Sequence, residues 1–346
     1  MLGFRATALQ PTPTPGADEV PRASDYCPPR WLRNAHLQSI LSSSELRRRR
    51  GLQRLQALGA VHREHIFDGG DGVRLQGWHS QVPGMAVQGL AILLHGWEGS
   101  TESSYMRMTC ASLLEAGYEV VRLNFRDHGQ THHLNEDIFH SCRLAEVLYA
   151  CVDVAGTFPH RPLVLAGYSL GGNFALRVAL NAQVVGLPLQ RVAAVCPVMD
   201  PMATLLGMEQ GLPLYHWYFQ RKWRRSLERK RALFPERHVY DDSVLALNVR
   251  EMTRWMVEHE TEYGTLDAYL DGYSIAGDRL AALSVPAHIL MAQDDPVIPF
   301  EHFRHWQLPE CAQLEIARWG GHCGFIENAQ CDGFGERWVT HRLTQR

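Results

Sequence analysis

One stretch constrains this chain more than any other. The apolar run Leu163-Val164-Leu165-Ala166 leads into Gly167-Tyr168-Ser169-Leu170-Gly171, and the pattern after Asn173 is helical as far as Ala182. A buried strand that turns into a helix through a single serine must turn sharply. The serine backbone is then forced toward a conformation L-residues rarely adopt, and the positions two before and two after it have room only for glycine. Gly167 and Gly171 occupy those two positions. Such a turn raises the serine hydroxyl above the end of a sheet, beside the unpaired N–H groups of a helix N-terminus.

The rest of the chain alternates in the way this turn requires. Residues 62–67 and 73–79 flank Asp68-Gly69-Gly70-Asp71-Gly72 and read as a hairpin. Leu90 to Leu94, Glu119 to Leu123, Leu163 to Ala166, Val192 to Val195, Pro286 to Met291 and Gln313 to Ile316 read as strands. Helical patterns over 105–116, 141–155, 173–182 and 332–343 separate or follow them. Runs without polar alternation belong to strands covered on both faces, so the fold class is α/β, a mostly parallel central sheet flanked by helices. Between about 200 and 280 the strands stop and aromatic-rich helical stretches take over, which predicts a helical cap inserted into one domain spanning 26–346. Residues 1–25, where Pro11, Pro13 and Pro15 alternate with threonine, read as a flexible lead.

Composition excludes several classes. Lys+Arg is 34 against Asp+Glu 37, a net charge of −3, so no basic field exists for nucleic acid. Arg47 to Arg50 reads as a solvated loop or helix end. The cysteines at 27, 110, 142, 151, 196, 311, 323 and 331 form no CxxC pair, and reduced thiols fit a cytoplasmic protein. The N-terminal residues carry no apolar h-region, and Gly89 to Leu94 is too short to span a bilayer.

A serine hydroxyl is a weak nucleophile without a base, so the turn predicts an acid and a histidine farther along. Met291-Ala292-Gln293-Asp294-Asp295-Pro296-Val297-Ile298-Pro299 supplies the acid at a strand end. The register before Pro296 favours Asp295, with Asp294 the alternative. His322 follows in the glycine-rich Trp319-Gly320-Gly321-His322-Cys323-Gly324 loop. Two N–H donors for an oxyanion are expected from Leu170, next to the serine, and from Trp97 in Leu94-His95-Gly96-Trp97. His128, His132, His133 and His140 lie near Asp127 and Asp137, but no metal motif emerges, and neither metal nor cofactor is expected.

The order Ser169, Asp295, His322 on these elements resembles the α/β-hydrolase superfamily. Trp31-Leu32-Arg33-Asn34-Ala35-His36-Leu37-Gln38-Ser39-Ile40 is similar to the opening motif of its YheT-like branch. Asn124-Phe125-Arg126-Asp127-His128-Gly129 resembles that branch's Asn-x-Arg-Gly loop, with Asp127 where glycine is usual. The resemblance covers about residues 25 to 340. It implies a serine esterase, because eukaryotic relatives of the branch act on acylglycerol and phospholipid esters. The expected substrate is a small-molecule carboxylic ester of short-to-medium acyl length, monoacylglycerol included. Thioester or amide hydrolysis, perhydrolysis, or a non-catalytic binding protein on the same fold are the alternatives. In the cap, Tyr215, Phe219, Trp223 and Leu227 recur at i+4 spacing, with Arg221, Lys222, Arg224, Arg225, Arg229 and Lys230 on the other faces. That pattern predicts either a lid packed over the site or a transient contact with an anionic lipid surface through the aromatic face.

Overall fold

Runs with no polar alternation become strands with no solvent face. The computed structural model describes residues 21–159 and 162–345. Strands β1 (Val61–Asp68) and β2 (Arg74–Gln81) form the hairpin around the Gly/Asp cluster. β3 (Gly89–Leu94), β4 (Tyr118–Leu123) and β5 (Leu163–Tyr168) are buried at every residue. β6 (Leu189–Val195), β7 (Ala287–Ala292) and β8 (Ala312–Ala317) complete an eight-stranded sheet in the order β1-β2-β4-β3-β5-β6-β7-β8. β2 runs antiparallel to β1 and β4, and every other pairing is parallel.

The helices are α1 (Ala35–Ser42), α2 (Glu45–Ala57), α3 (Ser104–Glu115), α4 (Leu144–Thr157), α5 (Leu170–Asn181), α6 (Pro201–Gln210), α7 (Pro213–Leu233), α8 (Asp242–Ala246), α9 (Val249–Glu260), α10 (Leu266–Gly272) and α11 (Phe334–Thr344). α2, α3 and α11 pack as one layer and α4 and α5 as another. α6 to α10 lie between β6 and β7. Trp223, Leu227, Met252, Met256 and Leu270 are among the residues of a hydrophobic core that these helices hold apart from the sheet's own.

Strand order places the site. β3 has β4 on one side and β5 on the other, so chain direction diverges there, and crevices open at the carboxyl ends of such strands. Leu94 pairs with Gly167, so the loop after β3 and the serine after β5 emerge side by side.

Several sequence expectations change. Residues 1–20 of the lead lie outside the described residues. Positions 21–25, assigned to that lead, are docked: Ala23 is buried and its N–H donates to Glu315 Oε2 at 3.0 Å. The arginine run is neither loop nor uniformly solvated. It lies in α2, where Arg47 is buried against Glu336 while Arg48 and Arg49 reach Glu45. α5 begins at Leu170, because the turn at Ser169 passes directly into helix. α4 begins three residues later than its pattern suggests. Ser141 gives its N–H to the Tyr269 hydroxyl of the cap (2.9 Å) and Arg143 gives its own to His140, so the chain is still turning there.

Candidate active site

Ser169 sits between β5 and α5 with φ 54° and ψ −119°, a strained conformation for a residue with a side chain. A Cβ at Gly167 would lie 2.0 Å from the Gly171 carbonyl oxygen. One at Gly171 would lie 2.4 Å from the carbonyl oxygens of both Leu94 and His95. The first turn of α5 therefore excludes a side chain at Gly167, and the backbone of β3 and its loop excludes one at Gly171. The turn is held by the Ser169 N–H to Val195 O (2.9 Å), and the Ser169 carbonyl accepts from the N–H groups of Gly172 and Asn173.

Three residues far apart in sequence meet here. His322 Nε2 lies 2.9 Å from Ser169 Oγ, and His322 Nδ1 lies 2.8 Å from Asp295 Oδ2. Asp295 is fixed by its other oxygen, which accepts the N–H groups of Val297 and Ile298 at 2.8 and 2.9 Å. Asp294 faces elsewhere: its Oδ1 accepts the Gly321 N–H at 2.9 Å. One aspartate thus grips the imidazole and its neighbour grips the loop that carries it. Burial by itself pulls the His322 pKa down. The Asp295 charge, the adjacent Cys323 thiol and the Asp295 hydrogen bond outweigh it and raise the imidazole to about 9.

The sequence pattern did not reveal what braces this loop. Ser39 Oγ accepts the His322 N–H (2.8 Å), Ser42 Oγ donates to Cys323 O (3.0 Å), and Gln38 makes hydrogen bonds to both the N–H and the carbonyl of Ile326. A Cβ at Gly321, whose φ is 54°, would meet Ala35 O at 2.3 Å. Ala35, Gln38 and Ser39 belong to the opening motif, whose resemblance carries no mechanical role in sequence; Ser42 lies just beyond it.

The loop after β3 has its own supports. Gly96 packs on the nucleophile turn, since a Cβ there would lie 3.2 Å from Ser169 Cβ. Its N–H donates to the Tyr105 hydroxyl at 3.0 Å. His95 Nδ1 contacts Gly96 O at 2.7 Å while Nε2 accepts the Phe125 N–H. His128 Nδ1 contacts Arg126 O, and Nε2 accepts the N–H of Glu98, which has φ 55°. Burial holds the His95 imidazole well below its ordinary range, and holds His128 at about 4. Both rings are neutral at pH 7 and act as fixed acceptors on one nitrogen. The N–H groups of Trp97 and Leu170 have no acceptor among the described residues, and both residues line the same cavity as Ser169.

Two cavities meet at Ser169. One of about 90 Å³ is apolar, lined among others by Leu205, Met208, Trp223, Met256 and Leu270. The other, about 920 Å³, is rich in charged and hydroxyl groups, and also opens onto His322. Trp97, Phe219 and Val297 line both. α7 forms the roof. Its Tyr215–Phe219–Trp223–Leu227 stripe turns inward, with Phe219 stacked on Trp97 at 5.3 Å between ring centroids. The stripe is therefore not the face α7 would lay on a lipid surface; Trp217 and Tyr218 are the exposed aromatics. Lys230 departs from the expected solvated face as well. It is buried and donates to Asp127 Oδ1 at 2.7 Å, while Asp127 Oδ2 accepts the Phe139 N–H at 2.9 Å. Asp127 has φ 58°, the backbone that explains the glycine usual there, and its carboxylate ties cap to body.

The histidines near Asp127 disperse: His132 Nε2 meets Ser226 Oγ and His128 braces Glu98. Among the described residues, one trio places potential metal-ligand atoms within 4.8 Å of one another, Cys196, His322 and Cys323. Both nitrogens of His322 are already engaged by Asp295 and Ser169.

A sheet of this order, with a strained serine on the strand-to-helix turn and a histidine and an aspartate on later strand ends, defines the α/β-hydrolase class. The family model for the alpha/beta hydrolase fold matches residues 91–329, and the chain belongs to that family. The chain is similar to YheT of Escherichia coli (strain K12), named as a candidate esterase, with 25% identity over 90% of each chain. It is also similar to the mouse phospholipase ABHD3, with 29% identity over 68% of this chain and 58% of that one. Among solved structures, the Pyrococcus furiosus esterase Pf2001 shares the fold, with a TM-score of 0.51 at 16% identity over 78% of this chain and 84% of that one. Among the described residues, no helix is long and apolar enough to cross a membrane.

Proposed function

We propose that this hydrolase cleaves carboxylic esters through an acyl-enzyme on Ser169. The observation that carries the reading is His322, bridged between Ser169 Oγ at 2.9 Å and Asp295 Oδ2 at 2.8 Å. In this reading neutral His322 takes the hydroxyl proton as Ser169 attacks the ester carbonyl. Asp295 holds the tautomer and stabilises the imidazolium. The oxyanion is received by the N–H groups of Trp97 and Leu170. The imidazolium then returns the proton to the departing alcohol, and water activated by His322 releases the acid. No step calls on a cofactor.

The small apolar cavity beside Ser169 suits an acyl chain of short-to-medium length, and monoacylglycerols are within the proposed range. The esterase and phospholipase names of the relatives support ester chemistry. The eight cysteines are free thiols, which supports a cytoplasmic location. The test is fluorophosphonate labelling with turnover of a chain-length series of esters, wild type against Ser169→Ala. Losing the nucleophile should abolish labelling and lower kcat by roughly 10⁴ to 10⁶ while the fold persists. A Ser169→Ala protein that still labels overturns the assignment.

A further inference from the structure

The two cavities that meet at Ser169 differ in kind, and that difference identifies the alcohol half of the substrate, given the esterase reading above. An apolar acyl group is matched best by the small lobe, whose lining includes no Asp, Glu, Lys or Arg, whereas the larger one would set it against charged side chains. The larger lobe is therefore left for the alcohol.

Its charges do not cancel locally. Four carboxylates line it, and three are matched by cations of the protein. Glu45 is held by Arg48 and Arg49, Glu102 by Arg107 and Arg122, and Asp127 by Lys230. The fourth, Glu98, is pushed up to about 8 by burial, so it is largely uncharged at neutral pH. Against these stand Lys222, Arg225 and Arg229, spaced i, i+3 and i+7 on α7 and so on one helix face, which lines the lobe. Lys222 Nζ donates to the Glu98 carbonyl at 2.7 Å and Arg229 Nη1 to Gln130 Oε1 at 2.6 Å. Arg225 has no hydrogen-bonding or ionic partner among the described residues, and none of the three meets a carboxylate there.

We propose that this lobe binds an anionic group, phosphate or carboxylate, carried by the alcohol part of the ester, and that Lys222, Arg225 and Arg229 hold it. Guanidinium forks match phosphate and carboxylate oxygens in pairs, and such charge-assisted bonds are the stronger kind. The same cations could instead meet anionic lipid at a membrane surface, and the experiment separates the two sources.

Turnover is compared for two esters with one short acyl chain, an acylglycerol and its acylglycerol 3-phosphate, both as monomers in solution. A neutral p-nitrophenyl ester reports the basal chemistry. Wild type should favour the phosphate-bearing ester by about tenfold or more in kcat/KM, the effect of one good charge-assisted contact. Arg225→Gln with Arg229→Gln should shrink that ratio by about tenfold, mostly through KM, and added salt should shrink it in wild type. Equal use of the two monomeric esters by an enzyme that turns over the p-nitrophenyl ester overturns the proposal and leaves the esterase reading standing. A preference seen only with anionic vesicles overturns it in favour of surface binding. Failure to turn over any ester, with no fluorophosphonate labelling, overturns the esterase reading itself.

Discussion

The nucleophile turn and the cap are built on different principles. Around Ser169 the main chain does the positioning: carbonyls of β3 and its loop exclude any side chain at Gly171, backbone N–H groups fix Asp295, and neutral histidines hold the neighbouring loop. The cap is held by side chains, with Phe219 stacked on Trp97, Tyr215 bonded to His36, and Lys230 buried against Asp127. A backbone-built site tolerates almost no substitution at its centre, whereas a side-chain-built roof can be rebuilt residue by residue. The comparison teaches that the bond-breaking step and the choice of substrate rest on separable parts.

Asp295 and Asp294 give the sharpest way to break that contrast. Asp295→Asn should lower kcat by about 10⁴, because the wrong imidazole tautomer then faces Ser169. Asp294→Asn, which keeps an oxygen for the Gly321 N–H, should cost about tenfold or less. Steady-state kinetics on one neutral ester compares them, and a larger loss from Asp294→Asn would reverse the assignment.

The next effect is on stability. Lys230→Met leaves the Asp127 carboxylate buried and unpaired, and should destabilise by about 3–5 kcal/mol in chemical denaturation. Asp127→Gly together with Lys230→Met removes both charges and restores the residue its backbone prefers, so most of the loss should return. If the double variant is no more stable than the single one, the cap is anchored by something else.

A smaller effect concerns pH. His322 acts as a base only when neutral, and its pKa is raised from 6.5 to about 9. The rate should therefore rise with pH through a limb centred near 9 and level off above it. Folding shows the opposite sign. The stability this raised group adds is complete below about 6.5 and is lost as pH climbs through about 9. Removing the counter-charge with Asp295→Asn should move the limb of the residual rate downward. A kcat/KM profile whose limb stays in place would show that Asp295 does not set the titration.

The smallest expected effect belongs to the roof. Trp223→Ala enlarges the apolar lobe and should move the preferred acyl length upward by a few carbons while leaving the fluorophosphonate reaction intact. An unchanged chain-length profile would place the acyl chain elsewhere.

What the sequence made legible follows the same division. Steric rules act over five residues, so Gly167 and Gly171 announce the turn at Ser169, and apolar runs announce the strands whose ends carry Asp295 and His322. The loop that carries Trp97 is legible because it follows a strand end, and the Leu94–Gly167 pairing brings that loop to the serine turn. Contacts between distant segments left no such trace. In sequence Lys230 is one more charge on a helix face and Arg47 one of a run of arginines, because burial of a cation depends on a carboxylate that only folding brings near. Ser39 and Gln38 were visible as a motif, but the loop they brace lies nearly three hundred positions away.

That separation has a consequence for how the enzyme comes into being. His322 receives its main-chain support from Ser39, 283 positions earlier, and the Gln38 hydrogen bonds to Ile326 span 288. During synthesis α1 leaves the ribosome well before the loop it braces and waits, its polar side chains unmatched, until the 283 positions up to His322 have followed. The nucleophile turn needs only neighbouring strands and can form much sooner. On the proposed mechanism, a nascent chain that already carries the Ser169 turn therefore stays chemically silent until the His322 loop has docked on α1.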